Sequence, residues 1–155
     1  MSSRVLVALR VKATPARAFA VFTDEIGLWW RSNPLFPFTP RGAGELAFEA
    51  GEGGRLIEIL PGGKVFEIGA VRVWDPPRRL VVDWRQASFW PEQSTQVEVR
   101  FDAAGDQTRV TVEHTGWDSI PAAHVARHGL PAATFLRRHG EWWQALLRSL
   151  EQSLS

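Results

Sequence analysis

Residues 135–150 read FLRRHGEWWQALLRSL. At about 100° per residue, Phe135, Leu136, His139, Trp142, Trp143, Leu146, Leu147 and Leu150 fall in one arc about 140° wide. Arg137, Arg138, Glu141, Gln144 and Arg148 fill the opposite side. This spacing predicts a long amphipathic helix with two tryptophans on its apolar side. Such a helix needs a broad apolar surface to lie on, and the preceding chain reads as the sheet that supplies it. Two positions in the helix stand out. His139 places a polar ring on the apolar arc, and Gly140, a poor helix former, implies a close approach or a bend.

The strands are legible from alternation. Val5, Val7, Leu9 and Val11 share one face of Arg4 to Lys12, with Arg4, Arg10 and Lys12 opposite, the mark of a half-buried strand. Thr14-Pro15 then reads as N-cap and first helical residue, opening a short helix with Ala18, Phe19 and Phe22. Thr23 or Asp24 can cap a second short helix through Ile26, Leu28, Trp29 and Trp30. Three prolines make residues 33–40 irregular, yet Leu35, Phe36 and Phe38 make this loop apolar, so it is expected to cover something.

From Gly44 the chain becomes a meander of strands over residues 45–50, 55–60, 64–74, 79–85, 95–102 and 109–115, with glycine- and proline-rich turns between them. Leu80, Val82 and Trp84 share a face; so do Val97, Val99 and Phe101, and Val110, Val112 and His114. In 64–74 both alternating sets contain apolar residues, which a β-bulge near Gly69 would explain. A short helix from Pro121, capped by Asp118 or Ser119, precedes the long one. The expected architecture is a single α+β domain over residues 1–155. A curved seven-stranded antiparallel sheet carries two short helices and a long C-terminal helix over its concave face.

The chain has 155 residues, 45% hydrophobic and 23% charged, with 18 Lys+Arg against 17 Asp+Glu. A net charge of +1 gives no electrostatic case for nucleic acid or an anionic membrane. Without cysteine, disulfides, thiolate chemistry and Cys-based zinc sites are excluded. The N-terminal MSSRVLVALRVKA has too short an apolar run for a signal peptide or a spanning helix, so a cytoplasmic location is expected. Eight Trp and no Tyr give a surplus of large apolar rings and no phenol for acid–base work.

The residues Trp29-Trp30, FEAGEGGRLIEI at 48–59, FEIGAVRVWDPPRRLVVDWR at 66–85 and TRVTVEHTGW at 108–117 carry a resemblance. The chain resembles the SRPBCC superfamily of helix-grip, START-like domains, and within it the bacterial homologues of the chaperone ATPase activator C-terminal domain. WDPPRRLV and the His-x-Gly-Trp ending are the most specific matches. The resemblance implies a cavity between the sheet and the last helix. Superfamily members use it to carry hydrophobic ligands or to catalyse reactions such as polyketide cyclisation, and fold alone does not choose between these.

The expected function is therefore binding of a small hydrophobic or aromatic ligand in that cavity, lined by Trp84, Phe101, His114, His139 and Trp142. Phe38 would stand at its mouth and Glu58 on the inner face. No catalytic residue, metal or cofactor is assigned. Against this stands the plainer reading, in which each histidine is a core residue satisfied by a hydrogen bond and the rings fill the cavity themselves. Two alternatives stand beside this reading. One is a cyclase- or hydrolase-type enzyme pairing His114 with an inward Glu58 or Glu67. The other is an interaction module, such as a chaperone partner or a homodimer through a sheet edge or the Phe89-Trp90 loop. His124 and His128 have i, i+4 spacing but no third ligand, so they read as surface histidines.

Overall fold

A computed structural model describes residues 4–31, 38, 44–87, 89–90, 93–117, 120, 124, 126 and 130–154. The elements run β1 (Arg4–Val11), α1 (Pro15–Asp24), α2 (Ile26–Trp29), β2 (Glu45–Phe48), β3 (Arg55–Ile59), β4 (Val65–Asp75), β5 (Arg79–Trp84), β6 (Thr95–Ala104), β7 (Gln107–Thr115) and α3 (Ala132–Leu154). The strands form one antiparallel sheet in the order β1-β7-β6-β5-β4-β3-β2. Only β1 is placed out of sequence order, at the far edge beside β7. This is the expected helix-grip arrangement.

Local chemistry sets the elements. Thr14 caps α1 by accepting a hydrogen bond from the Arg17 amide at 3.2 Å, and Pro15 opens the helix where no amide donor is needed. The expected cap of the second helix is corrected. Thr23 and Asp24 belong to the last turn of α1, and α2 starts after Glu25 with no side-chain cap. Thr23 is buried and donates instead to the Phe19 carbonyl at 2.9 Å, so its hydroxyl is not available to α2.

The bulge expected near Gly69 is present. The β3–β4 register shifts between Leu56 and Ile57, where Leu56 faces Gly69 and Ile57 faces Glu67. A Cβ on Gly69 would lie 1.6 Å from the Asp83 carbonyl oxygen, so only glycine fits there. The shift sorts the two glutamates. Glu58 is buried at 3% exposure, whereas Glu67 is exposed and pairs with Arg55 at 3.6 Å.

α3 lies over the inner face with the predicted arc inward. Phe135, His139, Trp142, Trp143, Leu146, Leu147 and Leu150 are all buried, and Leu136 is half-buried. Removing each large apolar side chain from water contributes about 1.5–3 kcal/mol before entropy is counted. The helix is longer than periodicity suggested, running on to Leu154. Gly140 needs no exceptional space, because an added Cβ would meet only Val5 Cγ1 at 3.6 Å. The outer face of β5, β6, β7 and β1 carries a ladder of charge pairs: Arg79–Glu98, Glu98–Arg100, Arg100–Glu113 and Glu113–Arg4. No described helix is long and apolar enough to cross a membrane. Apart from Phe38, the apolar loop 33–40 lies outside the described residues, as does most of the helix expected after Pro121.

Candidate functional site

Strand alternation puts Val110, Val112 and His114 of β7 on the inner face, with His114 opposite Val97 of β6 and Val5 of β1. One strand further on, Thr95 at the start of β6 faces Trp84 at the end of β5. From above, α3 lowers His139 and Trp143, one turn apart, onto this corner. All five side chains are buried.

Four of them, with the Trp84 backbone carbonyl, form one hydrogen-bonded chain whose direction is fixed. The Thr95 hydroxyl lies 2.7 Å from the Trp84 carbonyl oxygen, and a carbonyl can only accept, so the hydroxyl proton is spent there. Thr95 Oγ1 must therefore accept at 2.8 Å from His114 Nε2. His114 in its neutral form then has a lone pair on Nδ1. That lone pair accepts from His139 Nε2–H at 3.0 Å and from Trp143 Nε1–H at 3.3 Å. Both imidazoles thus carry their proton on Nε2. Burial, together with the charge His139 would carry, holds His114 well below the usual imidazole value; burial alone brings His139 down to about 3. Both are neutral at pH 7.

Around this polar thread the interior is aromatic. Trp117 packs on Phe135 at 4.9 Å, on His139 at 5.0 Å and on His114 at 5.2 Å between ring centroids. Its indole Nε1 is buried and has no hydrogen-bond acceptor among the described residues. Among the described residues, the half-buried Trp30 sits in a cage of five other rings. These are Trp142 at 5.4 Å, Trp84 at 5.6 Å, Trp29 at 5.7 Å, Trp143 at 5.8 Å and Phe38 at 5.9 Å. α3 holds this segment by its backbone: Trp142 Nε1 donates to the Arg31 carbonyl at 3.1 Å, and the Ser149 hydroxyl donates to the Trp29 carbonyl.

Of the expected site residues, the structure brings Trp84, His114, His139, Trp142 and Phe38 together. Phe101 and Glu58 are elsewhere. Phe101 is six residues along β6 from Thr95, about 20 Å of extended strand, and packs on Phe19 and Phe22 of α1. Glu58 is on β3, between Leu46 and Phe66, with β4, β5 and β6 separating its strand from β7. Gly44 leaves room for its side chain, since a Cβ there would fall 2.3 Å from Glu58 Cγ. Among the described residues no carboxylate contacts His114, so the expected His–Glu acid–base pair is not assembled. Phe89 is buried against Trp117, and Trp90 is 58% exposed. His124 Nδ1 accepts from the Ala126 amide, and His128 lies outside the described residues. No group of three or more metal-ligating side chains occurs among the described residues.

Sequence reasoning missed Thr95, Trp30, Trp117 and Trp143 as members of this site. Trp143 was on the predicted arc and Trp117 in the His-x-Gly-Trp ending. Thr95, the first residue of a strand, gave no signal. Two solvent-open grooves are lined by described residues. One of about 420 Å³ lies on the outer face, over β1, β7 and β6. The other, of about 320 Å³, lies between α1 and the β4–β5 turn. Neither borders the histidine pair.

A family model described as activator of Hsp90 ATPase homolog 1-like protein matches residues 12–155. Among curated protein sequences none matches the chain. Several solved structures share the fold. A protein from Mesorhizobium loti is 18% identical with TM-score 0.66, over 96% of this chain and 94% of that one. An HSP90 activator from Plasmodium falciparum is 19% identical with TM-score 0.65, over 98% and 96%. The Aha1 dimer from Colwellia psychrerythraea is 16% identical with TM-score 0.64, over 97% and 95%. At these identities the likeness is one of fold.

Proposed function

The chain belongs to the activator of Hsp90 ATPase homolog 1-like family, and on that premise we propose that it binds a small, flat, hydrophobic or aromatic molecule between the sheet and α3. The observation that carries this reading is Trp30, a half-buried indole held by five rings. A cage that accepts an indole from its own chain has the shape and chemistry to accept a similar ring from outside. In this reading Trp30 is a plug that a ligand displaces. Trp84, Trp142 and Phe38 are the walls, and neutral His114 and His139 form the floor. The Trp117 N–H supplies a donor for one acceptor atom on the ligand. Phe101 and Glu58 take no part, because they pack away from the cage. No reaction is proposed, since among the described residues no carboxylate is placed to orient His114 as a base.

The test is a titration of the native chain with a panel of flat aromatic compounds, indole among them, followed by tryptophan emission and by the NMR signals of His139 and Trp142. Saturable binding of at least one compound is expected. Trp30→Ala, which removes the competing ring, should tighten indole binding about tenfold, the factor recovered when a bound-like state of about 10% occupancy becomes the resting state. If no compound saturates and Trp30→Ala does not bind indole, the proposal fails.

A second reading, self-association, is favoured by β1. It is an edge strand whose outward Leu6 is 50% exposed, and free edges invite pairing. The Colwellia relative is described as a dimer. Light scattering over a concentration series tests this reading; a constant monomer mass would remove it.

A further inference from the structure

The groove between α1 and the β4–β5 turn plays no part in the reading above. Ala16, Phe19, Ala20 and Thr23 line it from one face of α1, at the i, i+3, i+4, i+7 spacing of a helix stripe. Trp74, at the end of β4, stands edge-on to Phe19 with ring centroids 5.3 Å apart. Pro76 and Pro77 close the far side. The volume of about 320 Å³ and the apolar, aromatic lining are those of a small-molecule site.

Its polar chemistry is one-sided. The Thr23 hydroxyl is turned to the Phe19 and Ala20 carbonyls of its own helix. That leaves the carboxylate of Asp24, which also lines the groove. Asp24 is the last residue of α1, the end of a helix where carbonyl groups gather negative charge and a cation is favoured. The last turn of α1 holds no basic residue. Neighbouring Glu25 and Asp75 are matched by Arg17 and Arg78, but Asp24 has no ion pair among the described residues. A second negative charge stands where the helix already supplies one, beside the half-buried Trp74, with no counter-charge among the described residues.

We propose that this groove binds an organic cation, a protonated or quaternary amine carried on a single aromatic ring. The ring would lie against Trp74 and the alanines of α1. The ammonium would sit between Asp24 and the carbonyl end of α1, within reach of the Trp74 face. The groove shares no residue with the cage around Trp30, so the two proposals stand or fall separately.

The experiment titrates the full chain with benzyltrimethylammonium, benzyl alcohol and benzenesulfonate, reading the NMR shifts of the Trp74 indole N–H and the Ala20 methyl. Saturable binding of the cation is expected, with the neutral alcohol weaker by about fivefold and the sulfonate inert. Asp24→Asn, at an exposed position that leaves the fold intact, should weaken the cation about fivefold and leave the alcohol unchanged. Ala16→Leu should block both by filling the groove. The proposal is overturned if the cation does not saturate, if the alcohol or sulfonate binds equally well, or if Asp24→Asn has no effect.

Discussion

The two halves of the sheet are built to different standards. From β1 through β7 and β6 to β5, partners face one another residue by residue without a slip. From β5 through β4 to β3 the register breaks twice, between Val71 and Val73 and between Leu56 and Ile57. The regular half carries the Trp84–Thr95–His114 thread, in which a slip of one residue would turn every side chain to the other face. The irregular half carries no such histidine thread among the described residues, and its bulges bend the strands. Precise register is kept where atoms must meet across three strands, and given up where the sheet has only to curve.

The largest test of this contrast is acid. Burial holds the pKa of His114 well below 6.5 and that of His139 at about 3. Between pH 6.5 and about 3 the unfolded chain therefore binds protons that the folded chain does not, so stability falls as pH falls. Relative to pH 7, His139 alone should cost roughly 2–3 kcal/mol by pH 4.5, and His114, held low by the same burial, adds to the loss. Urea unfolding at several pH values measures this. His139→Leu should remove about half of that slope; an unchanged slope would mean that the regular half is not where acid acts.

A smaller effect is expected at the seam between the halves. Gly69→Ala would drive a methyl into the Asp83 backbone, and relief requires the bulge to move, at a cost of about 3 kcal/mol. Denaturant midpoints measure the loss. Amide exchange should show it concentrated in β3 and β4, with β6 and β7 still protected. Uniform loss would mean that the two halves fold as one unit.

The smallest effect belongs to the outer charge ladder. Glu98 bridges Arg79 and Arg100, yet these pairs are partly solvated. Glu98→Gln should cost less than about 1 kcal/mol and less still in high salt. A larger loss would show that the regular register depends on its outer face as well as its inner one.

Much of the fold was legible because its signals are periodic. Alternation located every strand and faced Val97, Phe101, Val110 and His114 inward, and the 3.6-residue repeat placed the arc of α3. Where periodicity broke, the reading broke with it. Both alternating sets in 64–74 are apolar, so the phase across Gly69 was ambiguous, and with it the fates of Glu58 and Glu67. The site was less legible because it is made of meetings between elements. Thr95 looks like any strand-initiating threonine, and its role comes from the Trp84 carbonyl opposite and the imidazole beside it. Trp30 follows a one-turn helix too short to show a face, and the rings that enclose it come from α2, β5, α3 and Phe38.

The crowding of indoles around Trp30 has an optical consequence. Trp84, Trp142 and Trp143 stand with centroids 5.4 to 5.8 Å from Trp30, close enough for their electronic transitions to couple. The protein therefore carries its own spectroscopic reporter, an exciton signal in circular dichroism and depolarised emission shared among neighbours. Any event that withdraws the Trp30 ring from the cluster changes that signal without an added label.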